Sequence, residues 1–346
     1  MGVRTVTDAP VAPARGGRFT RSAGLLIAVS LLAFAALLSL AVGARSIPLA
    51  DVVDALLREG SSQNETIIRS LRVPRTLLGI VVGAAIGVGG ALMQALTRNP
   101  LADPGLLGVN AGASAAVVLA LSFGLAGATS SVWFALLGAA AASVAVYAIG
   151  TAGRGGATPV RLALAGTAIT AALTAVIYGV ALADQKLLQQ YNFWAVGALS
   201  GRGRTQLEAV LPFIGLGMLI SLILARPLNA LALGDDSARS LGAHVGRTRI
   251  GGAIAVTLLC GASTAAAGPM YFLGLTVPHA ARALCGTDHR WVLAYSAVLG
   301  AALLLFADVI GRVIVRPGEL QAGVMMAVIG TPLFIALVRK KRIAQL

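Results

Sequence analysis

Charge is scarce in this sequence. Of 346 residues only 12% are Asp, Glu, Lys or Arg, about half the share of an ordinary soluble domain. There are two cysteines and three histidines. Cys260 and Cys285 lie in apolar runs without CxxC or Cys/His spacing, which excludes a disulfide framework and a cysteine metal cluster. They read as small buried residues. No GxxxxGK[ST] occurs, so the chain does not hold ATP in a P-loop, and the "GVGG" at 87–90 follows no strand. Neither HExxH nor GxSxG is present, and no chain of Asp, Glu or His crosses an apolar run at its middle. Those absences weigh against an intramembrane protease and against a proton-driven carrier acting alone.

What is abundant is apolar surface. Hydrophobic residues make up 57% and the mean hydropathy is +0.86, which places the chain among integral membrane proteins. Apolar runs of sufficient length predict about ten helices, near 22–43, 73–96, 105–124, 130–150, 159–183, 207–225, 250–268, 270–285, 291–311 and 320–339. The first run is too long for a signal-peptide core and reads as an uncleaved helix. The expected class is an all-α integral membrane protein. A cytoplasmic tail over 1–21 and another over 340–346 flank a single transmembrane domain over 22–339, with a cytoplasmic loop at 226–249.

The net charge is +14, but the Lys and Arg sit at the ends of apolar runs rather than in an aromatic-interleaved patch, so no nucleic acid is expected. Their bias, with most carboxylates on the other side, predicts both termini in the cytoplasm. Two outer segments are too long for turns. One, 44–72, carries an amphipathic piece from Leu49 to Leu57; the other, 184–206, carries Tyr191, Phe193 and Trp194, suited to a membrane interface. Asn64 begins a chance-level glycosylation sequon.

Glycine is plentiful at 42 residues. Gly79, Gly83 and Gly87 recur four apart on one helical face, where small residues let backbones approach closely in lipid. "GALMQALTRNPLADPGLLGV" is echoed by "GASTAAAGPMYFLGLTVPHA": a small-residue helix, a proline, then an apolar–Gly turn. Halves of five helices each would be inverted relative to one another.

Few residues carry chemistry. Asp308 and Arg312 are four apart and can pair on one helix face. His279, after Pro278, reads as a packed histidine more than a ligand. Between helices two and three, Asn99, Pro100, Asp103, Pro104 and Gly105 form a shaped cytoplasmic hinge, with Asp103 placed to cap the next helix. In the longest inner loop, Asp235 and Asp236 suit a helix N-terminus, Arg239 follows one turn later, and Gly242 is placed to end that helix. That loop is either an ordinary amphipathic connection or a docking element for a soluble partner.

Four segments carry a resemblance: "RVPRTLLGIVVGAAIGVGGALMQALTRNPLADPGLLGVNAGAS", "LNALALGDDSARSLG", "GPMYFLGLTVPHAARALCGTDHRW" and "LLLFADVIGRVIVRPGELQAGVMMAVIGTPLFIALVRKK". Together they resemble the FecCD family, the permease subunits of ABC importers for ferric siderophores, vitamin B12 and haem. Within it the wording is most similar to the permeases of ferric enterobactin importers. The resemblance implies the ten-helix fold of type II ABC importers such as the vitamin B12 permease (BtuC-like). It also implies a second permease subunit of the same family, a paralogue in a heterodimer, enclosing the pathway with this one. Two ABC ATPase subunits would carry ATP and Mg, none of it bound by this chain, in the bacterial inner membrane. They would dock on Leu233, Gly234, Asp235, Asp236, Ala238, Arg239, Leu241 and Gly242. An extracytoplasmic siderophore-binding protein would dock on Arg72, Arg75 and Arg312, with Arg316 as a further candidate. The cargo implied is a ferric siderophore, with B12 or haem as the alternative.

Overall fold

Among the described residues, ten helices of thirteen residues or more carry the fold: α1 (Arg18–Ala41), α4 (Val73–Thr97), α5 (Val109–Ser122), α6 (Ser130–Thr151), α7 (Pro159–Ala181), α9 (Arg204–Leu231), α11 (Val245–Ala267), α12 (Leu273–Cys285), α13 (His289–Ile314) and α14 (Ala322–Lys340). Four shorter ones, α2 (Leu49–Leu57), α3 (Gln63–Ile67), α8 (Gln185–Ala195) and α10 (Asp235–Ser240), lie between them. The computed structural model describes residues 18–43, 46–58, 62–125, 127, 130–152 and 159–340. The predicted tails fall largely outside the described residues. Among the described residues, seven helices are long and apolar enough to cross a bilayer, and α5 and the Ala322–Ala336 part of α14 are shorter apolar helices.

The sequence rules for close packing hold in α4, the central helix. A Cβ at Gly79 would meet Leu305, one at Gly83 would sit 2.6 Å from the Gly300 carbonyl oxygen, and one at Gly87 would strike the Ser296 carbonyl. All three face α13, so the four-residue glycine spacing is the seam on which α4 and α13 lie backbone to backbone. Gly112 of α5 and Gly138 of α6 make the same kind of approach.

The internal echo has a structural counterpart. In the first half α4 leads through a break to the 14-residue α5; in the second α11 leads through a break to the 13-residue α12. α4 packs on α13 and α12 as α11 packs on α6 and α5, whereas the flanking helices differ, α9 lying on α11 and α4, and α1 chiefly on α13.

Several expected boundaries move, among them the start of the helix expected at residue 250, which is Val245. The helix expected to stop at residue 225 continues to Leu231 through Pro227, because Leu228 and Leu231 are fully buried and hold the turn that the proline weakens. The loop expected at 226–249 therefore shrinks to the residues around α10. Helix three starts at Val109, not 105, after a 3-10 turn over Pro104–Leu107 closed by Gly108 at φ +68°. Helix eight starts at Leu273, because Gly268 and Phe272 take positive φ and keep 268–272 out of a helix. α2 matches its expected span, with Val52 and Ala55 buried against Leu40, Ile47 and Ile68. In α8, Trp194 is buried against the bundle, while Phe193 is exposed.

Candidate functional site

Three places in the fold combine polar groups with special backbone. The first is where the two breaks meet. Thr264 near the end of α11 donates to Asn110 Oδ1 at the start of α5, 2.9 Å away. Pro104 lies against Gly274 of α12, and a Cβ at Gly90 of α4 would strike the Gly274 carbonyl. The space bounded by Ile86, Asp103, Asn110 and Met270 is about 10 Å³, no larger than a single water requires. The stretch expected as a hinge at the cytoplasmic face thus dips into the bundle: Ala102, Pro104 and Leu107 are buried. Its turn is built as expected, with Asp103 Oδ1 accepting from the Gly105 N–H at 2.8 Å and Asn99 Oδ1 from Leu101 at 2.9 Å. Pro100 follows one residue after Asn99, and Arg98 in the left-handed region (φ 49°) ends α4. Irregular backbone at this depth is tolerated because protein covers it.

The second place is α10. Gly234 at φ +102° and Gly242 at φ +78° bracket the helix, backbone turns no side chain favours. Asp235 does not project; it receives Arg249 at 3.0 Å and Arg98 at 3.4 Å, tying α10 to the ends of α11 and α4. Ala238 is fully buried. The outward face carries Leu233 and Leu241, each about two-thirds exposed, together with the solvent-facing Asp236–Arg239 pair, 2.9 Å apart. Two exposed leucines around an ion pair, on a helix pinned from below, make a stiff raised contact surface.

The third place is the opposite end, where α1, α4 and α13 converge. Asp308 is fully buried and held by Arg312 on its own helix, as the spacing predicted, and by Arg75 of α4 at 2.8 Å. Arg75 reaches on to Glu319 at 2.9 Å. Arg312 also donates to the carbonyl of Ser39 at 2.8 Å and to that residue's hydroxyl at 2.8 Å. Arg72 donates to the carbonyls of Leu40 at 2.6 Å and Ala41 at 2.8 Å. These are the carbonyls a helix C-terminus leaves unpaired, so two guanidiniums cap α1. Arg69 does the same for α2, donating to Ala55 and Arg58 carbonyls at 2.7 Å. Arg72, Arg75 and Arg312 sit at the expected end of the molecule. In this conformation, however, Arg72 and Arg312 are buried and turned inward, and the expectation that they present charge to a partner surface gives way to a capping role. Of the four, only Arg316 is exposed.

His279 is packed: its Nδ1 lies 2.9 Å from the Leu275 carbonyl and its ring is edge-on to Phe334. Pro278 is buried within α12. Among the described residues no cluster of His, Cys, Asp and Glu could hold a metal. Sequence reasoning missed three amides. Gln94 of α4 donates to the Leu275 carbonyl at 3.3 Å and accepts from Arg282, bridging α4 to α12. Asn110 joins the two breaks. Asn229 of α9 donates to Asp288 and accepts from the His289 N–H, each at 2.8 Å. Each is a lone amide in an apolar run, which was the available signal.

Comparison with known proteins adds the following. The FecCD transport family matches residues 31–340. The chain is 49% identical over 319 residues to the ferric enterobactin transport system permease protein FepD of Escherichia coli (strain K12), covering 92% of this chain and 94% of that one. It is 42% identical over 317 residues to the Fe(3+)-citrate import system permease protein YfmD of Bacillus subtilis (strain 168), covering 92% and 94%. A solved structure described as an inward-facing metal-chelate type ABC transporter superposes with a TM-score of 0.82 at 25% identity, covering 92% of this chain and all of that one.

Proposed function

The chain belongs to the FecCD transport family, and from that premise we propose that it carries a ferric siderophore of the catecholate, enterobactin-like class across the bacterial inner membrane. It is a multi-pass membrane protein and the permease subunit of an ABC importer for an iron chelate. The likeness to FepD along nearly the whole chain is the observation that carries the finer reading of the substrate.

The geometry supports a division of labour. The meeting point of the breaks is closed to about 10 Å³, so an iron chelate does not pass through the middle of one subunit. The route lies between this chain and a second FecCD-type permease, a paralogue in the enterobactin-like reading. α7, the span with the smallest buried share, has face enough for that contact. ATP and Mg belong to two ATPase subunits, which meet Leu233, Asp236, Arg239 and Leu241 on the outer face of α10. Asp235, through Arg249 and Arg98, passes their closure to α11 and α4, the two helices that lead into the breaks. A small-residue route with few charges releases a bulky chelate because nothing in it grips the ligand. The binding protein docks at the end where α1, α4 and α13 converge, and electrostatic complementarity there speeds and orients encounter. Arg316 offers its charge outward, while Arg72, Arg75 and Arg312 hold the surface in shape. In this reading the α10 side is cytoplasmic and so are both termini, as the positive-inside rule favours.

The test is uptake by the reconstituted complex of permeases, ATPases and binding protein. ATP-dependent accumulation of ferric enterobactin, with ferric citrate, haem and cobalamin at background, is expected. Accumulation of haem or cobalamin instead would overturn the siderophore reading.

A further inference from the structure

On the α10 side, the outer wall of the bundle carries a feature that lies outside the proposed route of the chelate. Between the second half of α6 and the first half of α11 runs an apolar groove of about 390 Å³, lined by Ala140, Val144 and Tyr147 on one side and Ile250, Ile254 and Leu258 on the other. From Ile250 to Leu258 it follows α11 for ~12 Å. Its polar atoms are largely spent on each other, since Thr257 donates to Ser143 at 3.1 Å. Tyr147 also lines a second depression of about 600 Å³, together with Thr151, His244 and the arginines 239, 247 and 249. No carboxylate lines it among the described residues. Arg249 and Arg239 have acidic partners outside the basin, whereas Arg247 is exposed and pairs with none among the described residues.

We propose that this groove and basin bind one anionic phospholipid, its acyl chain along α6 and α11 and its phosphate in the arginine basin. An apolar slot about as long as half an acyl chain, sharing Tyr147 with a cluster of cations at the helix termini, matches a lipid in both halves of its chemistry. Basic pockets between spans on the cytoplasmic side are where acidic headgroups are held. A soluble anion would use the basin and leave the slot empty; an apolar ligand would use the slot and ignore the basin. The site also touches α10 through Arg239, so the lipid braces the proposed coupling helix against α11.

The test is native mass spectrometry of the intact detergent-solubilised complex, titrated with phosphatidylglycerol and with phosphatidylcholine of the same acyl chains. Phosphatidylglycerol is expected to be retained at least fivefold more strongly, one per copy of this chain. Arg247→Gln should lower phosphatidylglycerol retention about fivefold and leave phosphatidylcholine unchanged. Val144→Trp, an exposed position that fills the slot, should lower both. Equal retention of the two lipids, or retention indifferent to both substitutions, overturns the proposal. So does loss of the lipid whenever the ATPase subunits or the second permease are bound, which would make the surface a protein interface. The readout is independent of which chelate is carried.

Discussion

The two ends of this molecule are built from the same ingredients and use them in opposite ways. At the α1–α4–α13 end, Arg72, Arg75, Arg312 and Asp308 are sealed inside, and their bonds cross between helices 31 to 273 residues apart in the chain. At the α10 end, Asp236 and Arg239 face solvent beside two exposed leucines, and only Asp235 is committed inward. Burial makes the difference. An ion pair out of water is costly to break on one side, while an exposed one contributes little. The first end therefore works as a clamp that fixes where α1 finishes, and the second as a face free to meet another protein.

Four substitutions would break or sharpen that contrast. Asp308→Ala leaves Arg312 buried without its acid and Arg75 with Glu319 alone, and removing one partner of such a group costs about 3–5 kcal/mol. Thermal unfolding in detergent should show a large loss of stability, smaller for Asp308→Asn; an unchanged melting temperature would mean the clamp is solvated. Next, Leu241→Asp should leave the melting temperature alone and weaken ATPase assembly by about 30-fold, the value of a single ~2 kcal/mol interface anchor, read by co-purification at graded concentrations. Asp235→Ala should cost less than about 1 kcal/mol of stability because the pair is partly solvated, yet lower uptake per ATP hydrolysed; tight coupling in this variant would remove Asp235 from the transmission route. Smallest of all, Asp236→Ala should move neither the melting temperature nor uptake measurably. A large effect there would show that the exposed pair, and not the leucines beside it, anchors the ATPase contact.

Much of the architecture was legible because it is local. The span of α2 follows from Pro48 and the amphipathic run after it. The short α10 follows from two acids ahead of a Gly at each end. The seam on α13 follows from Gly79, Gly83 and Gly87. The pairing of Asp308 with Arg312 follows from a spacing of four. What escaped the sequence was non-local. Nothing around Pro227 says that α9 passes through it, since the burial of Leu228 and Leu231 that enforces the helix comes from neighbouring elements. Nothing around Asp103 says that its turn lies under Gly274 of α12. Nor does the run "RVPR" reveal that Arg72 faces inward, because the carbonyls it caps belong to α1.

By itself, then, the sequence determined that this chain lives in a membrane, that it is a bundle of long apolar helices broken at glycine and proline, and which family it joins. Hydropathy, proline, glycine and close-set motifs act within a turn or two of the backbone, so they survive being read in one dimension. Tertiary structure alone decided which arginines are buried and which are offered, that the two breaks meet and close the middle of the subunit, and that an apolar groove and a basic basin share Tyr147. Each of those depends on groups far apart in the chain sharing one environment, and a side chain's solvation and partners exist only after the helices have packed.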